Sequence, residues 1–196
     1  MGVDAIAAVS VFFPILFLLL AFIIGISTGT TVLVGQAWGA QNIEKVQSVV
    51  GSTLFMTIIG GIITAIIGVF FAHDILELLG TDPKVMHLSL PYVQWMLAGS
   101  PLLFVYIIYT SILRGVGDST TPLLALALTS VIGLVITPIL LKGYFGLPAL
   151  GIIAPAIATI TGYVAILIFL AIYLNKKSIH FGRTVSFCNI FVIIRN

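Results

Sequence analysis

Five apolar stretches of this sequence, at about 7–34, 49–72, 88–113, 122–141 and 149–174, contain no Asp, Glu, Lys or Arg. A helix needs about 20 largely apolar residues to cross the hydrocarbon of a bilayer, and each stretch reaches that length. Inside hydrocarbon every backbone N–H and C=O must find its partner within the structure, which leaves helices as the answer for stretches of this kind. The expected fold class is all-α integral membrane, with about five transmembrane helices. Composition agrees: charged residues make up 7% of the 196, against roughly 25% in a soluble domain. So few charges cannot cover a water-facing surface, so the lipid bilayer is the chain's main solvent and first partner.

The connections hold nearly all the charge. Lys45, Arg114, Lys176, Lys177, Arg183 and Arg195 fall on one side of the expected topology, and Lys84 and Lys142 on the other. Basic residues concentrate on the cytoplasmic side, which places the carboxyl-terminal tail inside and Met1 outside. The first apolar run lacks a basic leader and is too long for a signal-peptide core, so it reads as a span, tilted or interrupted. An odd number of spans with an external start points to a segment missing upstream. The net charge of +2 offers nothing to nucleic acid.

The chemistry-bearing residues are few. Cys188 stands alone, which excludes disulfide frameworks and paired-cysteine metal motifs. His73, Asp74, Glu77, Asp82 and His87 gather around one connection with irregular spacing, read as a short amphipathic surface turn; no metal site is assigned. Thr81-Asp82-Pro83 has the pattern of a helix cap with proline at the first position. Hydrolase, metalloprotease and phosphate-loop motifs are missing, so the chain is not expected to be an enzyme. None of the spans carries an ionisable acid or base, although intramembrane carboxylates are the usual seats of ion coupling. Ser27, Thr28, Thr30 and Thr31 are expected to bond back to their own helix, and Gln36 to a neighbouring helix or loop. In the third span, Tyr106 and Tyr109 lie deep enough to wall a cavity and to attract flat organic cations. Gly25 and Gly29, then Gly61, Ala65 and Gly68, then Ala154, Ala158 and Gly162, are small residues spaced for close helix packing. Pro14, Pro101, Pro138 and Pro155 fall within spans, where proline loosens a helix; Pro101, Pro138 and Pro155 are the hinge candidates.

Three segments carry a family resemblance. Val34-Gly35-Gln36-Ala37-Trp38-Gly39-Ala40 resembles the VAQxxGA ending of the second helix of multidrug and toxic compound extrusion (MATE) transporters. Leu113-Arg114-Gly115-Val116-Gly117-Asp118-Ser119-Thr120-Thr121-Pro122 is similar to the family's LRGxGDTxxP loop, and Leu150-Gly151 through Thr159 to its LGxxGAAxAT helix start. In the loop, two glycines permit a tight turn, and Asp118 can cap the following helix. Arg114 can bond the preceding carbonyls or Asp118.

The resemblance implies a twelve-helix fold of two six-helix lobes around a central cavity. This chain would supply helices two to six, so residues 1–175 form an incomplete amino-terminal lobe. Residues 176–196 form a cytoplasmic tail or inter-lobe linker. Asp4 to Val9 resembles the loop leaving a missing first helix. The fifth-helix pattern N-x-x-L-[DT]-P is met by Gly133 to Pro138, with glycine for asparagine and Thr137 at the variable place. Gln36, Tyr106, Tyr109 and Thr137 are the cavity candidates. The implied activity is export of drugs or organic cations in exchange for protons or sodium ions, from the plasma (inner) membrane of a prokaryote. The coupling acid would lie in the missing first helix or second lobe, and no cofactor is expected. The rival readings are a lipid-linked sugar flippase of the same superfamily, a non-transporting membrane subunit and a truncated product.

Overall fold

The computed structural model describes the backbone of residues 3–142 and 151–180 and the side chains of 7–141 and 151–172. Helix α1 (Val3–Ser10) leads through a turn at Val11 into α2 (Phe12–Gly39). The Val11 amide still donates to the Ala7 carbonyl at 3.2 Å, so the first span is one rod with a local interruption. Gln41, at φ 54, turns the chain, and the Asn42 side chain accepts from the Lys45 amide at 3.0 Å to start α3 (Ile43–Phe70). A seven-residue helix α4 (Ala72–Leu78) follows, with Ala72 and Leu76 turned inward. Asp82 caps α5 (Pro83–Ala98) by accepting from the Lys84 amide at 2.8 Å. Next come α6 (Ser100–Gly115), α7 (Thr120–Lys142), a 3-10 turn at Gly151–Ile153, and α8 (Ala154–His180).

Four of these segments are long and apolar enough to cross a membrane, and the α5–α6 pair, bent by 44°, counts as a fifth. The third expected span is therefore a broken one. The break falls at Gly99, where a proline at the start of α6 supplies no amide to continue α5. Helix α8 runs on to His180, past the polar boundary expected at Asn175, because leaving hydrocarbon does not interrupt i→i−4 bonding. Residues 181–196 of the expected tail, with Cys188, Arg183 and Arg195, lie outside the described residues.

Helix α6 is the centre of the bundle. It buries Leu103, Phe104, Ile108, Tyr109, Ile112 and Leu113 and packs most extensively on α2 and α3, while α5 packs on α1 and α3. Helix α3 meets the break through its glycines. A Cβ at Gly61 would lie 2.8 Å from the Pro101 Cα, and one at Gly68 would lie 3.0 Å from the Leu97 side chain. Ser100 Oγ donates to the Gly61 carbonyl at 3.4 Å. On the far side, Ile160 of α8 closes on Gly99. Helix α7 pairs with α8 and barely touches the rest, leaving Leu123, Leu124, Val131, Leu134 and Val135 exposed. Such surfaces suit lipid, where apolar area alone does not drive helices together.

Of the small-residue sets, those on α3 and α8 are packed, whereas a Cβ at Gly25 or Gly29 would meet nothing within 4 Å. Overpacking a tight site costs about 1–3 kcal/mol. Gly61→Ala is expected to lower the thermal unfolding midpoint in mild detergent by an amount in that range, while Gly25→Ala leaves it unchanged; equal midpoints for the two variants would refute the tight contact.

Candidate functional site

A cleft of about 790 Å³ opens between α2 and α7 with α6 as its floor. Leu20, Ile24, Ser27, Thr28, Thr31 and Val32 form one wall. Tyr106, Ile107, Thr110 and Arg114 form the floor, and Ser119, Pro122, Leu123 and Leu126 the other wall. Helices α2 and α6 run toward the Gly115–Ser119 loop and α7 runs away from it, so the cleft is graded. Arg114, Ser119 and Thr31 lie at its loop end, and Leu20, Ile24 and Leu126 at its deep end. Among the described lining residues Arg114 carries the one charge.

The wall and floor are joined by hydroxyls. Ser27 Oγ and Ser111 Oγ share a short hydrogen bond. Thr31 Oγ1 donates to the Ser111 carbonyl at 3.2 Å as well as to Ser27 O at 3.0 Å. Arg114 Nη2 donates to Ser111 Oγ at 3.2 Å. These short side chains reach because the helices nearly touch: a Cβ at Gly115 would lie 2.9 Å from the Val34 side chain and 3.0 Å from Thr31 O. Thr28 and Thr110 bond back to their own helix at 2.8 Å each.

The loop is built as its residues dictate. Gly117 takes φ +87, which favours glycine. Asp118 accepts from the Thr121 amide at 3.1 Å, Thr121 Oγ1 at 2.8 Å and Thr120 Oγ1 at 3.0 Å, capping α7. Pro122 sits in that first turn, where its missing amide costs nothing.

The sequence-derived cavity candidates separate. Tyr106 lines the cleft and stacks on Tyr163 at 5.7 Å, which occupies one face of its ring. Tyr109 is buried at 4% exposure in the core and is not among the cleft residues, so it offers no aromatic face there. Thr137 is half-buried on α7 and outside the cleft. Gln36 is exposed in the last turn of α2, beside Gly39 and the terminating Ala40, not turned into a neighbouring helix. Gly151 adopts φ +55 before α8, and Thr159 Oγ1 donates to the Pro155 carbonyl at 2.8 Å. Pro101 lies in the first turn of α6, Pro155 in the first turn of α8, and Pro138 inside α7. Pro155 thus displaces no helical bond and kinks nothing.

Ser27, Thr28, Thr31, Thr110 and Ser119 were not expected at a site. Four hydroxyls within five residues of α2 were the available signal. His73, Asp74 and Glu77 do cluster, with His73 Nδ1 3.8 Å from Asp74 and 4.0 Å from Glu77, but all three are exposed on α4.

The MatE family model matches residues 1–139. The chain belongs to the MatE family. It is 45% identical over 187 residues to the "Probable multidrug resistance protein YoeA" of Bacillus subtilis (strain 168), covering 94% of this chain and 40% of that protein. It is 28% identical to the "FAD transporter" of Shewanella oneidensis, covering 85% of this chain and 37% of that one. It also resembles an inward-facing MATE transporter structure, with TM-score 0.80, 27% identity and coverage of 87% and 38%. An outward-facing one matches with TM-score 0.81, 26% identity and coverage of 89% and 38%. The chain spans about 40% of the length of the relatives it matches.

Removing an N-cap oxygen typically costs about 1 kcal/mol. Asp118→Ala is therefore expected to lower stability by about that amount, and Asp118→Asn by much less, when thermal unfolding of the two is compared. Equal losses would show that Asp118 acts through its charge and not as a cap.

Proposed function

We propose that this chain forms part of the amino-terminal lobe of a secondary antiporter that exports amphipathic drug-like molecules in exchange for protons or sodium ions. A first helix and a second lobe of the same transporter would complete it. The membrane would be the plasma (inner) membrane of a prokaryote, with the carboxyl-terminal end cytoplasmic, in keeping with Lys45 and Arg114 on that side.

The observation that carries this reading is the equal likeness to inward-facing and outward-facing relatives, with TM-scores of 0.80 and 0.81. That equal fit supports a lobe that moves as one body between the two states. Internal geometry agrees. The Gly99 break is clamped by Gly61 and Ile160, and Pro101 supplies no amide through which α5 could straighten into α6, so the elbow is part of the lobe's packed shape. The described spans carry no carboxylate, and on this reading the coupling acid belongs to the complementary part of the transporter.

The test is dye export by proteoliposomes holding the native-length polypeptide, under an imposed proton or sodium gradient. Export driven by one of the two gradients is expected, with none from the 196-residue chain alone. Export by the short chain alone, or none by the native-length protein under either gradient, would overturn the proposal.

A further inference from the structure

The cleft is chemically polarised in a way that does not suit a cation. Arg114 is its charged lining residue, and no carboxylate lines it among the described residues. Arg114 uses one donor on Ser111, and a guanidinium has five, so several remain at the loop end of the cleft. Asp118 is turned into the cap of α7. Ser119, which also lines the loop end of the cleft, adds a second donor. Thr28, Thr31 and Thr110 have committed their protons to backbone carbonyls and offer lone pairs, which can receive hydroxyl or amine hydrogens. Toward the deep end the lining turns apolar, with Leu20, Ile24 and Leu126. Along α2 the step from Leu20 to Thr31 spans on the order of 16 Å at 1.5 Å per residue, comparable with a polar head and the first part of an alkyl chain.

We propose that the α2–α6–α7 cleft binds anionic amphiphiles, their acidic head paired with Arg114 and their apolar part lying along Leu20, Ile24 and Leu126. A head with hydroxyl or amine hydrogens of its own, such as a phosphoglycerol, fits better than a bare phosphate, because the threonine oxygens then have something to accept. Such a molecule can come from the membrane as an acidic phospholipid, since basic pockets between helices near the cytoplasmic face hold such headgroups. It can equally arrive from solution as cargo. The inference rests on the exporter reading only for what the bound molecule is for. Binding is measured without transport, so either proposal can fail alone.

The test is ligand-induced thermal stabilisation of the full chain in a neutral maltoside detergent. The probes are dodecyl phosphate, a short-chain phosphatidylglycerol and dodecyltrimethylammonium, the last as the cationic control. Both anions are expected to raise the midpoint, and the cation to leave it unmoved. Loss of a charge-assisted pair weakens binding roughly tenfold, which is the change expected for Arg114→Gln. Arg114→Glu should reverse the preference toward the cation, an effect that a purely structural role of Arg114 would not produce. Leu126→Trp, which fills the cleft without touching the charge, should abolish stabilisation by both anions and stands in if the Arg114 variants fail to fold. Stabilisation by phosphatidylglycerol alone supports a membrane source, and stabilisation by both anions supports soluble cargo as well. Equal response to cation and anion, or anion binding unchanged in Arg114→Gln or in Leu126→Trp, overturns the proposal.

Discussion

The near contact of two backbones, α2 and α6 at Gly35 and Gly115, governs the polar side of this molecule. A Cβ at Gly35 would already sit 3.4 Å from the Gly115 carbonyl, and one at Gly115 closer still to Val34 and Thr31. In lipid, apolar area gives helices little reason to associate, so packing and interhelical hydrogen bonds must hold them. Serine and threonine reach only a short way, and Ser27–Ser111 and Thr31–Ser111 exist because the glycines let the axes close. Arg114 depends on the same contact, since its partner Ser111 is fixed by that pairing. A larger residue at position 115 would part the helices and release the hydroxyls together with the arginine. The small residue comes first in the causal order, and the polar chemistry follows from it.

The break at Gly99 is the second constraint, and it lets one span serve two sets of neighbours. Helix α5 lies on α1 and α3, whereas α6 lies on α2 and α3. The change of direction is 44°, and it happens where α3 presents glycine and α8 presents Ile160. Because contacts on both sides fill the corner, the bend is part of the packing. Helix α3 is the element common to both halves, which explains why its two packed glycines, Gly61 and Gly68, face the two arms of the bent span.

Hydropathy made the spans legible, since a run without charge at that length has few other solutions. The caps at Asp82 and Asp118 were legible too, because a short acidic side chain before a proline-containing first turn has a local use that needs no distant partner. The break at Gly99 was not, since glycine and proline inside an apolar run permit a bend without requiring one. Tyr106 and Tyr109 show the limit most clearly. Three residues apart on one helix, they lie on neighbouring faces, and which of them meets the core is decided by α2, α3 and α8. Only Tyr106 reaches the cleft, where Tyr163 of α8 covers one side of its ring. The Ser27–Ser111 pair joins residues 84 apart, a separation that no local pattern encodes. The hydroxyls of α2 were visible as a cluster, but reading them as self-bonded was right for Thr28 and incomplete for Thr31, which does both.

The two walls of the cleft differ in how firmly they are held. The α2 wall is tied to the floor by hydroxyl bridges and by glycine contacts, whereas α7 leans on α8 and hardly on α6. What ties α7 to α6 is the Gly115–Ser119 loop, with Asp118 fastening the first turn of α7, and a side-chain hydrogen bond between Tyr106 and Thr129. That loop contains Gly117 at φ +87, follows directly on Arg114, and ends at Ser119. Helix α7 is anchored mainly on α8, so the outer wall of the cleft is positioned by α8 and the loop more than by the floor. One short loop thus ends the floor at Arg114 and starts the outer wall at Ser119, so a substitution that distorts it acts on the charged end of both sides of the cleft at once.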